Sequence, residues 1–146
     1  MIIVERTVVV AAPLDGLVAY LEDFSHAEEW DPGTVRCVRV GDGPVGVGAR
    51  WRNTSRFRGR ETELVYRLAS RERDRLVFEG ENKTAATTDD MAFVAMSDAV
   101  TRLTYRASLR FKGLARLASP FLRAEFDRLA DETATRLPMA VSARFP

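Results

Sequence analysis

The sequence predicts an α+β fold of the helix-grip type, a curved seven-stranded antiparallel sheet wrapped around a long C-terminal helix, with one or two short helices after the first strand. Three observations carry that expectation. A β-rich start gives way to short helical segments, apolar residues then alternate with polar ones for most of the chain, and an amphipathic stretch closes it. At 146 residues the chain has room for one core, so residues 1–146 are read as a single domain.

Residues 2–11 are rich in β-branched types and read as the first strand. Pro13 ends it and suits a first helical turn, where a missing N–H costs nothing. Leu14, Leu17, Val18 and Leu21 then fall at i, i+3, i+4 and i+7, one apolar face of a short helix. Gly16 weakens that helix, which has to form by packing. A second helical turn is expected over residues 25–30, with Ser25 as its cap and Glu28 at the capping-box spacing. Asp31-Pro32-Gly33 ends it.

From Thr34 the pattern has period two. Residues 35–40 form a strand, and the glycine-rich run 41–48 follows as a long turn. With Pro44 in its middle and no helix after it, that run is not a phosphate loop. In 49–58, Trp51, Asn53, Ser55 and Phe57 share one face, and Arg50, Arg52, Arg56 and Arg58 the other. After Gly59, residues 60–69 put Thr62, Leu64, Tyr66 and Leu68 on the first face, against Glu61, Glu63 and Arg67. Arginines on one strand thus face glutamates on the next, which gives them a structural role. Strands 75–81, 88–96 and 100–111 follow, the last with Leu103, Tyr105, Ala107, Leu109 and Phe111 on its apolar face. The closing helix is expected from Pro120, capped by Ser119, to Leu137, where Pro138 stops it. Phe121, Leu122, Phe126, Leu129, Ala130 and Thr133 form its inner stripe, and Asp127–Asp131 is a like-charge pair that only docking can offset. Residues 139–146 receive no element.

Composition narrows the partners. A net charge of +1 supplies no concentrated positive field, so neither nucleic acid nor membrane insertion is expected. The apolar start is too short to span a bilayer and lacks a basic leader, so the expectation is a cytoplasmic protein, monomer or homodimer. Cys37 is alone, which excludes an internal disulfide and multi-cysteine metal sites. No metal spacing is present, and no cofactor is expected. His26, the only histidine, is expected to be exposed rather than catalytic, and Glu28, Glu29 and Asp31 to point apart.

One helix does not cover the concave face of a strongly bent sheet, so a cavity is expected between the two. Its apolar wall is read as Trp51, Phe57, Leu64, Tyr66, Phe78, Met91, Phe93, Leu103 and Tyr105, with Leu122, Phe126 and Leu129 facing it from the helix. Asn53, Ser55 and Thr62 add hydrogen-bonding groups, which need partners if buried. Glu125 is the one acidic candidate on the helix.

Asp23-Phe24-Ser25-His26-Ala27-Glu28-Glu29-Trp30-Asp31-Pro32-Gly33, then Gly46-Val47-Gly48-Ala49-Arg50-Trp51, resembles the polyketide cyclase/dehydrase and lipid-transport branch of the START/Bet v 1-like (SRPBCC) superfamily. Phe78-Glu79-Gly80, Thr101-Arg102-Leu103-Thr104-Tyr105 and the closing helix extend the likeness over nearly the whole chain. The resemblance implies a ligand cavity, adds Trp30 at the close of the short helices to its candidate residues, and names no ligand. The expected function is binding of an apolar small molecule, lipid-like or aromatic. The alternative is ring closure or dehydration of a reactive poly-β-ketone, which needs substrate folding and enolate-stabilising donors. Tyr66, Tyr105, Asn53 and Ser55 are the inward donors. No inward acid or base with a tuned pKa is expected, which weighs against catalysis.

Overall fold

The computed structural model describes residues 1–146 and places seven strands in one antiparallel sheet. They are β1 (Ile2–Val10), β2 (Thr34–Val40), β3 (Arg50–Phe57), β4 (Arg60–Glu72), β5 (Arg75–Glu81), β6 (Ala85–Ala95) and β7 (Thr101–Phe111). The order across the sheet is β1-β7-β6-β5-β4-β3-β2. Strands β2 to β7 therefore form a meander, and β1 pairs with β7 at the far edge. Between β1 and β2 the chain crosses the sheet through α1 (Leu14–Glu22), one 3-10 turn (Phe24–His26) and α2 (Ala27–Trp30). After β7 come 3-10 turns over Gly113–Phe121 and the long helix α3 (Arg123–Arg144).

Alternation sets the two faces. On β3 and β4, Trp51, Asn53, Leu64, Tyr66 and Leu68 are buried. The opposite face carries ion pairs across neighbouring strands: Arg52–Glu63 at 3.1 Å, Arg56–Glu61 at 2.9 Å and Arg67–Glu79 at 2.8 Å. The β3–β4 turn is made by Arg58 (φ 53°) and Gly59 (φ 79°), a left-handed pair that matches the twist of the strands it joins.

Two expectations about the helices are corrected. Residues 25–30 are not capped by Ser25. Asp23 caps that segment, its Oδ1 accepting from the Ser25 backbone N–H (3.1 Å) and hydroxyl (2.7 Å). The C-terminal helix does not run from Pro120 to Leu137. Pro120 lies in the 3-10 turns, α3 starts at Arg123, and it passes through Pro138 to Arg144. An internal proline costs about 3 kcal/mol, but stopping there would strip cover from the core. Leu137 and Val141 on either side of it are buried, and Phe145 packs against Gly16.

The like-charge pair on α3 has a specific solution. Arg6 alternates with Ile2 and Val4 on the inner face of β1, and its guanidinium reaches Asp131 (2.9 Å) and Asp127 (3.5 Å). It also donates to the Asp127 carbonyl at 3.2 Å. One arginine thereby turns the repelling pair into a clamp that holds α3 against β1.

Candidate functional site

Beneath the first half of α3 the sheet is hollow. A cavity of about 270 Å³, open on one side, lies between α3 and the inner faces of β1, β3, β4, β6 and β7. Its wall is mainly apolar: Ile2, Val4, Phe57, Leu64, Leu109, Phe111, Leu122, Phe126 and Leu129. Phe57 and Phe126 stack in parallel, ring centres 4.9 Å apart, and link the end of β3 to α3. Small residues keep the space open, with Ala107 on β7, Ala85 on β6 and Ala130 on α3.

Of the residues expected around a cavity, Ser55, Phe57, Thr62, Leu64, Tyr66, Tyr105, Leu122, Phe126 and Leu129 line it. The others do not. Trp30, Trp51, Phe78, Met91, Phe93 and Leu103 belong to a solid cluster at the other end of the sheet. There Phe24 and Trp30 fill the space from the helical side, with Phe24 against Tyr66 (4.4 Å) and Phe78 (4.6 Å). The Trp51 indole N–H donates to Asp23 Oδ1 at 3.2 Å, and Arg39 covers its ring at 5.7 Å. Trp51 is thus a core anchor tied to a helix cap. Glu125 is turned outward and paired with Arg128 at 3.2 Å.

Asn53 has an indirect place. It is buried and already satisfied by protein groups, in a chain that starts at the cavity wall. Ser55 donates to Asn53 Oδ1 (2.5 Å), Asn53 Nδ2 to Thr34 Oγ1 (3.0 Å), and Thr34 to Asp31 Oδ2 (2.8 Å). Both ends of this chain, Ser55 and Asp31, line the cavity. The other two acids of that segment point away: Glu28 accepts from the Cys37 backbone N–H (2.8 Å) and Glu29 from the Tyr20 hydroxyl (3.1 Å). Cys37 is buried and its thiol is pushed up to about 12, chiefly by burial, so it is inert. His26 is half-buried, stacked on Tyr20 at 4.5 Å, and does not line this cavity.

Asp31, Tyr66, Thr87 and Tyr105 form a polar cluster on the cavity wall, with Asp89 beside Tyr105. Tyr66 reaches this point because β5 has Gly80 opposite it. A Cβ there would stand 2.7 Å from the tyrosine ring, so glycine lets the ring lie flat across β5 toward Thr87. Burial raises both tyrosines well above their ordinary range, which keeps them as neutral phenols able to donate. Burial also raises Asp31, against the hydrogen bonds from the Gly33 N–H and Thr34 hydroxyl.

Asp89 is the group that the sequence reading missed. It is buried, and its carboxyl is pushed up to about 7, first by burial and then by the charge of Asp31, with the Tyr105 hydroxyl opposing. The signal was present. Asp89 stands two and four residues before Met91 and Phe93, so the alternation that turned those inward turned it inward too. An inward acid with a pKa near neutrality therefore exists, one phenol away from the cavity.

The sequence matches the family model described as polyketide cyclase/dehydrase and lipid transport over residues 1–138. No curated protein matches it by sequence. Among solved structures, it is similar to a START superfamily protein from Mycobacterium smegmatis, with 18% identity, a TM-score of 0.72, and 97% of this chain and 95% of that one covered. It is also similar to the Zhui aromatase/cyclase from Streptomyces sp. R1128, with 15% identity, TM-score 0.74, and coverage of 97% and 92%. TTHA0849 from Thermus thermophilus superposes with TM-score 0.81 at 12% identity, covering 99% of both chains. At such identities these likenesses establish the helix-grip, START-like fold. The family match extends over nearly the whole length: this chain belongs to the polyketide cyclase/dehydrase and lipid transport family.

Proposed function

From this family membership and the geometry of the cavity, we propose that the protein binds a compact apolar molecule with one polar end beneath α3. The observation that carries this reading is a mainly apolar cavity wall on which Asp31, Tyr66, Thr87 and Tyr105 cluster. An apolar wall supplies affinity, and a few converging polar groups fix orientation. A volume of about 270 Å³ falls near the bottom of the range of small-molecule sites, roughly 300–1,000 Å³. That size suits a small aromatic or polyketide-like molecule better than a two-chain lipid.

The test is direct. Native mass spectrometry of the purified protein is expected to show a co-purified small molecule, or saturable uptake of a fluorescent aromatic probe. Ala107→Leu, which fills the cavity from β7, is expected to abolish uptake and leave the fold intact. Uptake equal to that of the parent protein would overturn the assignment of this cavity.

Asp89 supports a second reading, ring closure or dehydration of a poly-β-ketone in the same cavity. Proton transfer at an enolisable carbon works best with a group titrating near the operating pH, and neutral phenols can stabilise the enolate that results. Asp89, through Tyr105, and Tyr66 would fill those roles. Under this reading Asp89→Asn abolishes turnover of a poly-β-ketone while probe affinity is retained. Turnover unaffected by both Asp89→Asn and Tyr105→Phe would leave binding as the function.

A further inference from the structure

The 3-10 turns over Gly113–Phe121, which join two cavity-lining residues, Phe111 and Leu122, break the rule by which this protein buries its large apolar residues. Leu114, Leu117 and Phe121 are 86%, 68% and 81% exposed, three of the four most exposed large apolar side chains in the protein. Pro120 is exposed as well. In 3-10 geometry residues three apart lie nearly in line, so Leu114, Leu117 and Pro120 form one ridge with Phe121 at its end. Other exposed apolar residues, such as Val9, Val35 and Val38, are single positions on strands. Those need no explanation. A ridge of this kind does.

The charges beside the ridge indicate what covers it. An open depression of about 440 Å³ beside it is lined by Met1, Arg110, Phe111, Lys112, Gly113, Arg116 and Ser119. Lys112 is paired with Glu81 at 2.8 Å, and Arg123, at the start of α3, with Asp127 at 3.4 Å. Arg116 forms no ion pair, Arg110 reaches Glu81 only at longer range, adding to Lys112 in lowering the Glu81 pKa, and both arginines are exposed. An apolar ridge flanked by exposed arginines over a polar hollow has the composition of a segment that lies in the interface of an anionic bilayer. The apolar side chains enter the acyl boundary and the arginines meet phosphate groups. A second copy of this chain is a poor occupant, because a twofold contact would bring the same arginines together. The ridge also projects its side chains singly into solvent, which suits a fluid lipid surface and offers no groove to a helix.

We propose that residues 110–123 form a docking surface for anionic phospholipid membranes, with Leu114, Leu117 and Phe121 as anchors and Arg110 and Arg116 as headgroup contacts. The contact is superficial: no helix of this protein is long and apolar enough to cross a membrane. Its position gives it a use. Phe111 lines both the depression and the cavity, and Leu122, next to Phe121, lines the cavity. Docking would bring the cavity wall at Phe111 and Leu122 close to lipid, the solvent that suits an apolar ligand. The docking itself does not depend on any particular ligand.

The experiment is flotation of the whole protein with vesicles of phosphatidylcholine alone or mixed with phosphatidylglycerol, at low and high salt. Binding is expected to the mixed vesicles only, and to weaken with salt. Leu117→Glu and Arg116→Glu are each expected to reduce it by roughly tenfold or more, with unchanged circular dichroism. In a Phe121→Trp variant, the added indole emission is expected to shift to the blue on mixed vesicles only. Absence of binding to mixed vesicles at low salt would overturn the proposal. So would a concentration-dependent dimer abolished by Leu117→Glu, or retention on an acidic soluble protein without vesicle binding. Loss of probe uptake by Ala107→Leu with vesicle binding intact separates this proposal from the cavity reading.

Discussion

Under α1 and α2, twenty-one buried residues close into one cluster around Phe24, Trp30, Trp51, Phe78 and Met91. Under the first half of α3, the same sheet has a cluster of only four, Ile2, Val4, Leu122 and Ala130, fringed by partly buried aromatics. Both halves are built from the same alternating strands. They differ in what the helical layer presents to the sheet. The short helices insert Phe24 and Trp30 deep into the sheet, whereas α3 stacks Phe126 on Phe57 and brings small residues, Ala130 and Thr133, opposite Ala107 of β7. A bent sheet leaves room everywhere along its concave side, and only large side chains from the second layer remove it. One half is therefore solid core, and the other keeps the space that the proposed binding would use.

Substitutions ought to separate the halves, and the largest effect belongs to the solid one. Trp51→Ala is expected to cost about 3–5 kcal/mol in chemical denaturation, since it opens a hole and strips the Asp23 cap of its indole donor. Probe uptake by the fraction that remains folded is expected to be unchanged. Impaired uptake at full stability would invert the assignment of the two halves.

Asp89 lies near the seam between them and gives the next effect. Burial favours its neutral form in the fold, while in the unfolded chain the carboxyl ionises near pH 4. With the native value at about 7, its contribution to stability is full below about pH 4, declines between about 4 and 7, and is level above that. Asp89→Asn is expected to match the parent protein at pH 4 and to exceed it above pH 7 by on the order of 3–4 kcal/mol. Parallel stability curves for the two proteins across that window would show that the carboxyl is not held neutral.

A smaller cost is expected at Gly80, where the halves share a side chain. A methyl group there collides with the Tyr66 ring. Gly80→Ala is expected to destabilise by about 1–3 kcal/mol and to alter probe affinity, because Tyr66 packs on Phe24 in the core and also lines the cavity. Unfolding curves and probe titration on one sample check both. The smallest effect belongs to the outer face, where neither half is touched. Arg67→Ala removes an exposed ion pair with Glu79 and is expected to change stability by no more than about 0.5 kcal/mol. A larger shift in the denaturation midpoint would mean that the charged face carries more of the sheet than exposed pairs normally do.

The sequence by itself determined the strands, their two faces and the identity of the closing helix. Period-two alternation is a local property of an extended chain, so Ser55, Phe57, Leu64, Tyr66 and Tyr105 were placed inward without knowing what lay opposite. It also turned Asp89 inward, where an acid was easily passed over among apolar neighbours. What it could not determine was depth: Trp51 and Phe57 share a face, yet one is sealed beneath the short helices and the other stacks on Phe126 beside a hollow. That distinction depends on which side chains the second layer brings to each point of the sheet. Tertiary structure likewise set the course of α3, since Pro138 is a stop signal locally but the core beyond it needs Val141 for cover. It decided as well that Phe121, read as part of the inner stripe, stands in solvent. A face can be read from spacing along the chain, whereas space is a property of two surfaces that meet only when the chain has folded.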